Sequence, residues 1–426
     1  MREYLLLLKR NRDYRLLWWG NVVSLLGDWF NLLASAELIT DLTDSGTAIS
    51  SLFLARFLPL FVVSPLAGVL ADRFDRKRLM VVSDVLRAVT VFCFLFVRSS
   101  GDIWLLYVLT VTQFGLSALF TPSRAAVLTN VVSREELVTA NALDSLTWST
   151  MLAMGSFLGG VVAAFFGAQT AFVLDSLTFL LSAVLVGRIA SLTKVDGAGE
   201  RTGWLDFVDG FRYLSARPFI LGVSLIKAGG ALVWGAVNVL EISFADDIFA
   251  KQLVSWRSVA DAGTAVLGVI YFVSGLGTGL GPLYMRKWLG DEPRRLLLGV
   301  TLGFAIVPAG ILWLSAAPTL GPFLAATAVR TIGSGVVWVF SAALLAMLVP
   351  NEYRGRVFAF EFAALTLTQS ISTLAAGVGQ DFLGLSVRQV AASMGFLGIV
   401  IFFMWLIFYF KTKGRFASDF VPDSVA

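Results

Sequence analysis

Apolar residues recur along the chain in long runs separated by short polar stretches. Each run approaches or exceeds the roughly 20 residues that a helix needs to cross the core of a bilayer. The runs fall near residues 14–40, 47–71, 79–98, 103–128, 139–166, 170–191, 217–241, 262–286, 295–315, 320–348, 355–383 and 387–411. The pattern therefore predicts twelve membrane-spanning helices.

The composition agrees with a chain embedded in a lipid bilayer. Hydrophobic residues make up 57% of the 426 positions and the mean hydropathy is +0.80, whereas soluble domains contain about 45–50% apolar residues. The longest polar stretches, near 192–216 and 242–261, are too short to bury a core of their own. The first run carries Asn21, Asp28, Asn31 and Glu37, so we expect a retained helix and not a signal peptide.

Several kinds of chemistry are excluded by the residues that the chain lacks. It has no histidine, and its one cysteine, Cys93, lies in an apolar run, so histidine metal sites, Ser-His triads and intramolecular disulfides cannot form. The phosphate-binding pattern G-x-x-x-x-G-K-[ST] is absent. The alternate glycines of 275–281 lie in an apolar run and favour close helix packing. We expect no enzyme activity, no cofactor and no metal.

Positive charge is distributed unevenly between alternate loops. Of the 33 Lys and Arg residues, the loops on one side hold only Arg98, Lys251, Arg257 and Arg388. The positive-inside rule predicts that both termini are cytoplasmic. The net charge of +4 then reflects topology, and no nucleic-acid partner is needed. We expect a multi-pass protein of the cell (inner or plasma) membrane.

The two halves of the chain repeat each other weakly. Residues 132–142, after the fourth run, align with 349–359, after the tenth, and the segment after Gly68 has a counterpart after Gly281. The repeat predicts an N-terminal six-helix half at 1–191, a cytoplasmic linker at 192–216, a C-terminal six-helix half at 217–411 and a cytoplasmic tail at 412–426.

The densest group of charges lies between the second and third runs, where residues 68–79 read GVLADRFDRKRL. The segment resembles the loop pattern G-x-L-a-D-r-x-G-r-k-x-x-l of the major facilitator superfamily. The matching positions are Gly68, Leu70, Ala71, Asp72, Arg73, Arg76, Lys77 and Leu79. Asp75 stands where the superfamily usually has glycine, which resembles the branch of drug and siderophore exporters of the enterobactin and macrolide exporter type.

The resemblance covers essentially the whole chain and implies two six-helix halves related by a pseudo-two-fold axis, with a substrate site between them near the membrane midplane. It implies a monomeric secondary transporter that uses protons to export an amphipathic small molecule such as a drug, macrolide or siderophore. A lysophospholipid flippase of the same fold is the alternative, and a non-transporting membrane sensor is a third hypothesis.

Charged residues inside the apolar runs are the candidates for coupling and binding, because each costs about 2.5–3.5 kcal/mol near the bilayer centre. Asp28 and Arg56 lie at similar depth on sequential helices. We predict that they pair, either as a permanent salt bridge or as a bridge gated by protonation of Asp28. Asn31 follows Asp28 in a pattern that loosely resembles drug antiporters.

A second candidate group lies in the C-terminal half. Lys227 and Glu361 are close enough in depth for their side chains to meet, with a substrate or proton role, a gate bridge or a snorkelling lysine as the alternatives. Arg330 begins an R-x-x-G-x-G pattern that resembles a helix 4 motif of drug antiporters but stands in the tenth run. The fourth run has Gln113 in the corresponding pattern and no arginine.

The remaining motifs are expected to be structural. Asp84 and Arg87 form a local pair at spacing i, i+3, and Asp144 and Asp175 are expected near helix ends, where water or the helix termini can satisfy them. The antiporter signature of the fifth helix is met only in part, because serine replaces its proline. Its small residues still predict close packing, at Gly155, Gly159 and Gly160.

The resemblance also implies a role for the loop at 68–79. It places Asp72 against the N-terminal end of helix 11 near Gly355, whose exposed amides attract a carboxylate. Arg73 and Arg76 would bind carboxylates or carbonyls nearby. We therefore expect Gly68, Asp72, Arg73, Arg76 and Gly355 to form a latch that closes the cytoplasmic side, with a purely topological charge cluster as the alternative.

The latch hypothesis predicts the behaviour of Asp72→Asn. A carboxylate at a helix N-terminus contributes about 0.3–1 kcal/mol, so its loss should change the transport rate by roughly two- to fivefold while insertion into the membrane is unaffected. Transport at the wild-type rate by normally inserted protein would contradict the latch.

Overall fold

A computed structural model describes residues 2–133, 136–190, 203–252 and 261–412. Within these ranges the regular structure is helical. The long helices are α1 (Arg12–Leu42), α2 (Gly46–Arg73), α3 (Arg76–Phe92), α4 (Ile103–Val131), α5 (Leu137–Thr150 and Ser156–Phe166), α6 (Ala168–Gly187), α7 (Pro218–Ser224 and Ile226–Ser243), α8 (Ala262–Leu289), α9 (Pro293–Ala316), α10 (Leu320–Leu348), α11 (Asn351–Asp381) and α12 (Val387–Thr412). The twelve expected spans are confirmed as segments long and apolar enough to cross a membrane.

Short elements complete the described chain. A π turn, Met151–Gly155, joins the two parts of α5, and a second π turn, Phe244–Ala250, extends α7. Short 3₁₀ turns lie at Cys93–Phe96 and Ser100–Asp102. Two further helices are shorter and flank the first and seventh spans, at Arg2–Arg10 and Gly203–Ser215.

Local sequence explains where several helices begin and how they connect. The side chain of Ser45 accepts a hydrogen bond from the amide of Ala48 and so caps α2, which satisfies one of the orphan donors of a helix start. Gly167, with φ of +81°, is the single residue between α5 and α6. Residues with a Cβ rarely adopt that conformation, so glycine permits this tight reversal.

The helices form two compact units. Unit 1 contains Met1–Gly203 and Glu241–Gly275, and unit 2 contains Trp204–Leu240 and Leu276–Ala426. The chain passes between the units at three points, after Gly203, Leu240 and Gly275, and the first of these lies inside the expected linker at 192–216. Part of that linker, Gly203–Ser215, is helical, and residues 191–202 lie outside the described residues.

Glycines allow the helices of unit 1 to approach closely. A Cβ at Gly155 would lie 2.9 Å from the Trp29 ring on α1, and one at Gly160 would lie 2.8 Å from Cα of Gly268 on α8. Gly159 similarly faces the Phe30 backbone. The three glycines of α5 therefore lie at close helix contacts, as small residues permit.

The serine that replaces the antiporter proline lies at the π turn of α5. The Ser156 hydroxyl donates to the carbonyl oxygens of Leu152 and Ala153. A π turn inserts an extra residue into the helix and is one of the identifiable causes of bending. The chain therefore interrupts regular α-helix at this position without a proline.

In unit 2, glycines likewise allow α8, α9 and α10 to approach one another closely. A Cβ at Gly277 would lie 2.1 Å from Oγ1 of Thr331, and one at Gly281 would lie 2.8 Å from the Ile332 carbonyl oxygen. Gly333, on α10, faces Gly303 of α9 at a similarly short distance. Gly277 and Gly281 thus serve helix packing. Phe340, whose ring faces Gly299 of α9, is buried in an apolar core cluster of the unit.

These contacts predict different stability effects for two Gly→Ala substitutions in unit 1. In Gly160→Ala the new methyl group meets backbone atoms of α8 and should lower the free energy of unfolding by about 1–3 kcal/mol, as overpacking does. Gly115→Ala, on α4, is the matched control because a Cβ there meets nothing within 4 Å. It should be neutral or slightly stabilising, since alanine favours helix.

The measurement is the thermal midpoint of detergent-purified protein, followed by intrinsic fluorescence. Equal midpoints for the two variants would show that α5 and α8 are not in close contact at Gly160.

Candidate functional site

Arg87 lies at the centre of a buried group of charges in unit 1. Its side chain is 2% exposed, and it contacts carboxylates from two helices. One guanidinium nitrogen, Nη1, lies 3.2 Å from Oδ1 of Asp84, and the other, Nη2, lies 3.3 Å from each carboxylate oxygen of Asp28. The local pair expected from spacing is present, and it is half of a larger bridge from α3 to α1.

Two side chains of α6 contact this bridge and hold it in place. The hydroxyl of Ser182 donates to Oδ2 of Asp84 at 2.6 Å, and the guanidinium of Arg87 lies 3.9 Å from the ring centroid of Phe179. A guanidinium over an aromatic face gains a favourable cation–π interaction when it is removed from water. Asp84 and Arg87 are therefore held on several sides, which favours one fixed geometry.

Asp28 differs from Asp84 because its side chain is partly exposed. Its side chain is 22% exposed, whereas Asp84 is fully buried. The amide nitrogen of Gln113, on α4, lies 3.3 Å from Oδ1 of Asp28 as a donor. Gln113 is the residue in the fourth-helix pattern that lacks the arginine of drug antiporters, and here it contributes a neutral hydrogen bond to the same carboxylate.

The predicted salt bridge between Arg56 and the Asp28 carboxylate is wrong, because that carboxylate contacts Arg87. Arg56 Nη2 lies 3.4 Å from the backbone oxygen of Asp28, and its guanidinium lies over the ring of Phe114 at 4.4 Å. Similar depth along two helices places residues at the same height. The rotation of each helix about its axis then directs the Asp28 side chain to Arg87.

Asp175, on α6, is a member of this group that was expected near a helix end, where water or the helix terminus could satisfy it. It is fully buried, so that expectation is wrong. A Cβ at Gly27 would lie 2.2 Å from Oδ1 of Asp175 and 2.1 Å from the hydroxyl oxygen of Thr178. Gly27 therefore leaves the space that the carboxyl group occupies.

The other acid expected at a helix end, Asp144, forms a two-oxygen contact with Arg124 at 2.8 Å.

Asn31 lies one helical turn beyond Gly27 on α1 and is fully buried. Among the described residues, neither atom of its side-chain amide has a hydrogen-bond partner. A buried amide without partners is costly, so Asn31 is available to hydrogen-bond another group in the interior of unit 1.

A second buried ion pair lies in unit 2. The ammonium nitrogen of Lys227, on α7, lies 3.1 Å from Oε2 of Glu361, on α11, and both side chains are buried. The same ammonium lies 4.7 Å from the ring centroid of Trp338 on α10. Oε1 of Glu361 has no hydrogen-bond partner among the described residues. The structure thus brings together the two residues that were predicted to meet from their similar depth in the membrane. Trp338 lies beside them.

Arg330 is also buried in unit 2, on α10. A Cβ at Gly310, on α9, would lie 2.6 Å from the backbone nitrogen of Arg330. The R-x-x-G-x-G pattern therefore lies where α10 packs against its neighbours through Gly333 and Gly335.

The loop between α2 and α3 is only two residues long, Phe74 and Asp75. The Asp75 side chain accepts a hydrogen bond of 2.8 Å from the amide of Arg78 and caps α3. This explains physically why an aspartate is suitable where the superfamily usually has glycine. Lys77 donates to the backbone oxygen of Ile189, after α6.

The other expected latch residues are only partly described. Gly68, Asp72 and Arg73 belong to the last turns of α2, and their surroundings lie outside the described residues. Arg76 begins α3. Gly355 lies in the first turns of α11, where a Cβ would meet nothing within 4 Å. The latch stays a prediction.

A membrane-spanning helical bundle with buried ion pairs in both units has the features of a transporter. The sequence matches the Major Facilitator Superfamily over residues 17–245, more than half of its length. The chain belongs to this superfamily.

Three bacterial relatives align with most of the chain. It is 29% identical to the uncharacterized MFS-type transporter YfiS of Bacillus subtilis, with 86% of each chain covered. It is 24% identical to the putative bacilysin exporter BacE of the same species, covering 86% of this chain and 88% of BacE. It is 23% identical to macrolide efflux protein A of Streptococcus pyogenes, covering 87% and 90% respectively.

A solved structure supports the fold. A bacterial homolog of the human lysosomal transporter Spinster, in an inward-facing and occupied conformation, aligns with a TM-score of 0.71 and 15% identity, over 97% of this chain and 99% of that one. Identity at this level supports the shared fold and no more.

The bridge around Arg87 predicts a pattern of stabilities. Arg87→Met leaves the carboxylate of Asp84 buried and uncompensated, which should lower the free energy of unfolding by about 3–5 kcal/mol. The double variant Asp84→Asn/Arg87→Met removes both charges and should recover much of that loss. Arg56→Met should cost less, because its described hydrogen bond is to a carbonyl oxygen.

Thermal midpoints of the purified variants in one detergent provide the measurement. A double variant as unstable as Arg87→Met would contradict the assignment of Asp84 as the dependent partner.

Proposed function

We propose that this chain is a proton-coupled exporter of an amphipathic small molecule that works by alternating access. Membership of a transporter superfamily is established, and the proposal concerns direction, coupling and substrate. We also propose the orientation predicted from charge, with both termini cytoplasmic and the chain a monomer in the cell membrane.

The bridge between Asp28 and Arg87 supports proton coupling. Asp28 is the most exposed carboxylate of the group and is bound to a guanidinium inside a membrane bundle. Protonation of Asp28 would remove its negative charge and weaken the bridge, which leaves Arg87 to Asp84. A proton would therefore bind one arrangement of α1 and α3 better than another, and such differential binding is what shifts a conformational equilibrium.

The pair in unit 2 supports a role in substrate binding. Glu361 has one oxygen on Lys227 and a second oxygen without a partner among the described residues. That oxygen could accept a hydrogen bond from an amine or hydroxyl of a substrate, beside the Trp338 ring. The names of two relatives, a putative bacilysin exporter and a macrolide efflux protein, support export as the direction of transport.

The proposal predicts separate effects of Asp28→Asn and Glu361→Gln in proteoliposomes. Erythromycin and rhodamine 6G are suitable probes, and accumulation is measured with and without an imposed pH gradient. Asp28→Asn should reduce gradient-driven accumulation at least tenfold but retain exchange of labelled for unlabelled probe, because its asparagine cannot bind a proton. Glu361→Gln should reduce both processes, because it weakens binding.

Asp209→Asn is the matched control, since Asp209 is partly exposed on the helix Gly203–Ser215 and contacts only Arg212 at 3.9 Å among described ion pairs. Gradient-driven accumulation at the wild-type level by Asp28→Asn would overturn the coupling role. Movement of a fluorescent lysophospholipid without a pH gradient, and no movement of either probe, would instead support the lipid flippase alternative.

A further inference from the structure

Five ionisable side chains gather in the interior of α1, α2, α3 and α6. Two are guanidinium groups, Arg56 and Arg87, and three are carboxyl groups, Asp28, Asp84 and Asp175. All but Asp28 are at least nine-tenths buried. Arg124 and Asp144 form their own neutral pair and do not alter this balance. If every group were ionised, the cluster would carry one excess negative charge.

An excess charge in this setting is costly, because the bilayer and the packed helices exclude the water that would otherwise stabilise it. One proton on one carboxyl group makes the cluster neutral. We propose that Asp175 carries this proton in the described state and is a second proton-binding site of the protein, distinct from Asp28.

The hydrogen bonds distinguish Asp175 from the other two acids. Asp84 contacts Arg87 and accepts a bond from Ser182, and Asp28 contacts Arg87 through both oxygens. These charge-assisted contacts favour ionised carboxylates. Asp175 contacts only the hydroxyl of Thr178, at 3.4 Å from Oδ1, while its Oδ2 has no partner among the described residues.

The Thr178 contact is itself weak. The Thr178 hydroxyl lies nearer to the backbone oxygen of Asp175, at 2.7 Å, which is an acceptor. A hydroxyl has one proton to donate, so it cannot serve both oxygens fully. An ionised Asp175 would lack a strong donor, whereas a neutral Asp175 loses much less on burial.

The cations that act on Asp175 are Arg87 and Arg56, and each is already bound to another group. Helix α1 contributes Asp28, α3 contributes Asp84 and Arg87, and the second part of α5, Ser156–Phe166, has no titratable side chain. The turn Cys93–Phe96 has only the thiol of Cys93. On α2, Arg56 hydrogen-bonds to a carbonyl oxygen of α1.

The α1 backbone also excludes water from this carboxyl group. The ideal Cβ position of Gly27 is only 2.2 Å from Oδ1 of Asp175, so the oxygen occupies the volume where a side chain would otherwise lie. Contact of this kind leaves no space for a hydration shell on that side.

A second site gives the proposed proton coupling a way to keep the cluster neutral, and this step rests on the proposed function. When Asp28 binds a proton from its exposed side, Arg87 loses one of its two carboxylate partners. Asp175 can then lose its proton to bulk water, and its carboxylate can take the place of Asp28 beside Arg87, which stays bound to Asp84. One proton is gained at Asp28 and one is lost at Asp175, and both guanidinium groups remain charged.

The test is infrared difference spectroscopy of purified protein at neutral pH, in the region of the carbonyl stretch of protonated carboxylic acids. The wild-type minus Asp175→Asn spectrum should contain one such band, because the variant lacks the protonated carboxyl group. The wild-type minus Asp209→Asn spectrum should contain none. An unchanged band in Asp175→Asn would show that Asp175 is ionised and would overturn the proposal.

Asp28→Asn provides a second reading that does not depend on the folding of an Asp175 variant. It removes one negative charge, so neutrality requires Asp175 to ionise and the same band should disappear. A band that persists in Asp28→Asn would overturn the charge balance. The spectra need neither substrate nor gradient, so a failure of coupled transport leaves the result on Asp175 intact.

Discussion

The absence of water from the bilayer core is the constraint on which the interior of this protein depends. Every charge placed there requires a partner, because a lone charge is costly. Arg87 meets this requirement for Asp84 and Asp28 at once, so it ties α3 to α1 and to the supporting residues of α6. Under the proposed function, the same bridge also makes unit 1 sensitive to the protonation of a single carboxylate, that of Asp28.

Close helix packing surrounds the buried polar groups of the protein. Gly27 admits Asp175 against α1, and the glycines of α5 bring that helix onto α1 and α8. In unit 2, Gly277 and Gly333 allow α10 to approach α8 and α9. Small residues thus perform two tasks here. They increase packing where lipid provides no hydrophobic driving force, and they create the narrow spaces that buried polar groups occupy.

The sequence predicted some parts of the site well and others poorly. Depth along the helices correctly brought Lys227 and Glu361 together, because two long side chains on facing helices tolerate errors in rotation. The same reasoning failed for Asp28 and Arg56, since a short aspartate reaches only the helix toward which it points. Asp175 was misjudged because the apolar run placed it near a helix end, whereas it lies well inside the 20-residue helix α6 and α1 covers its carboxyl group.

The sequence alone determined the class of this protein. Twelve apolar runs must cross a membrane as helices, since only helices satisfy their own backbone in lipid, and the GVLADRFDRKRL segment indicated the superfamily. The tertiary structure alone decided which charges meet. That choice depends on the rotation and contact distance of each helix, which arise from packing between residues far apart in the chain. The shared role of Arg87, the capping role of Asp75 and the enclosure of Asp175 all follow from that packing.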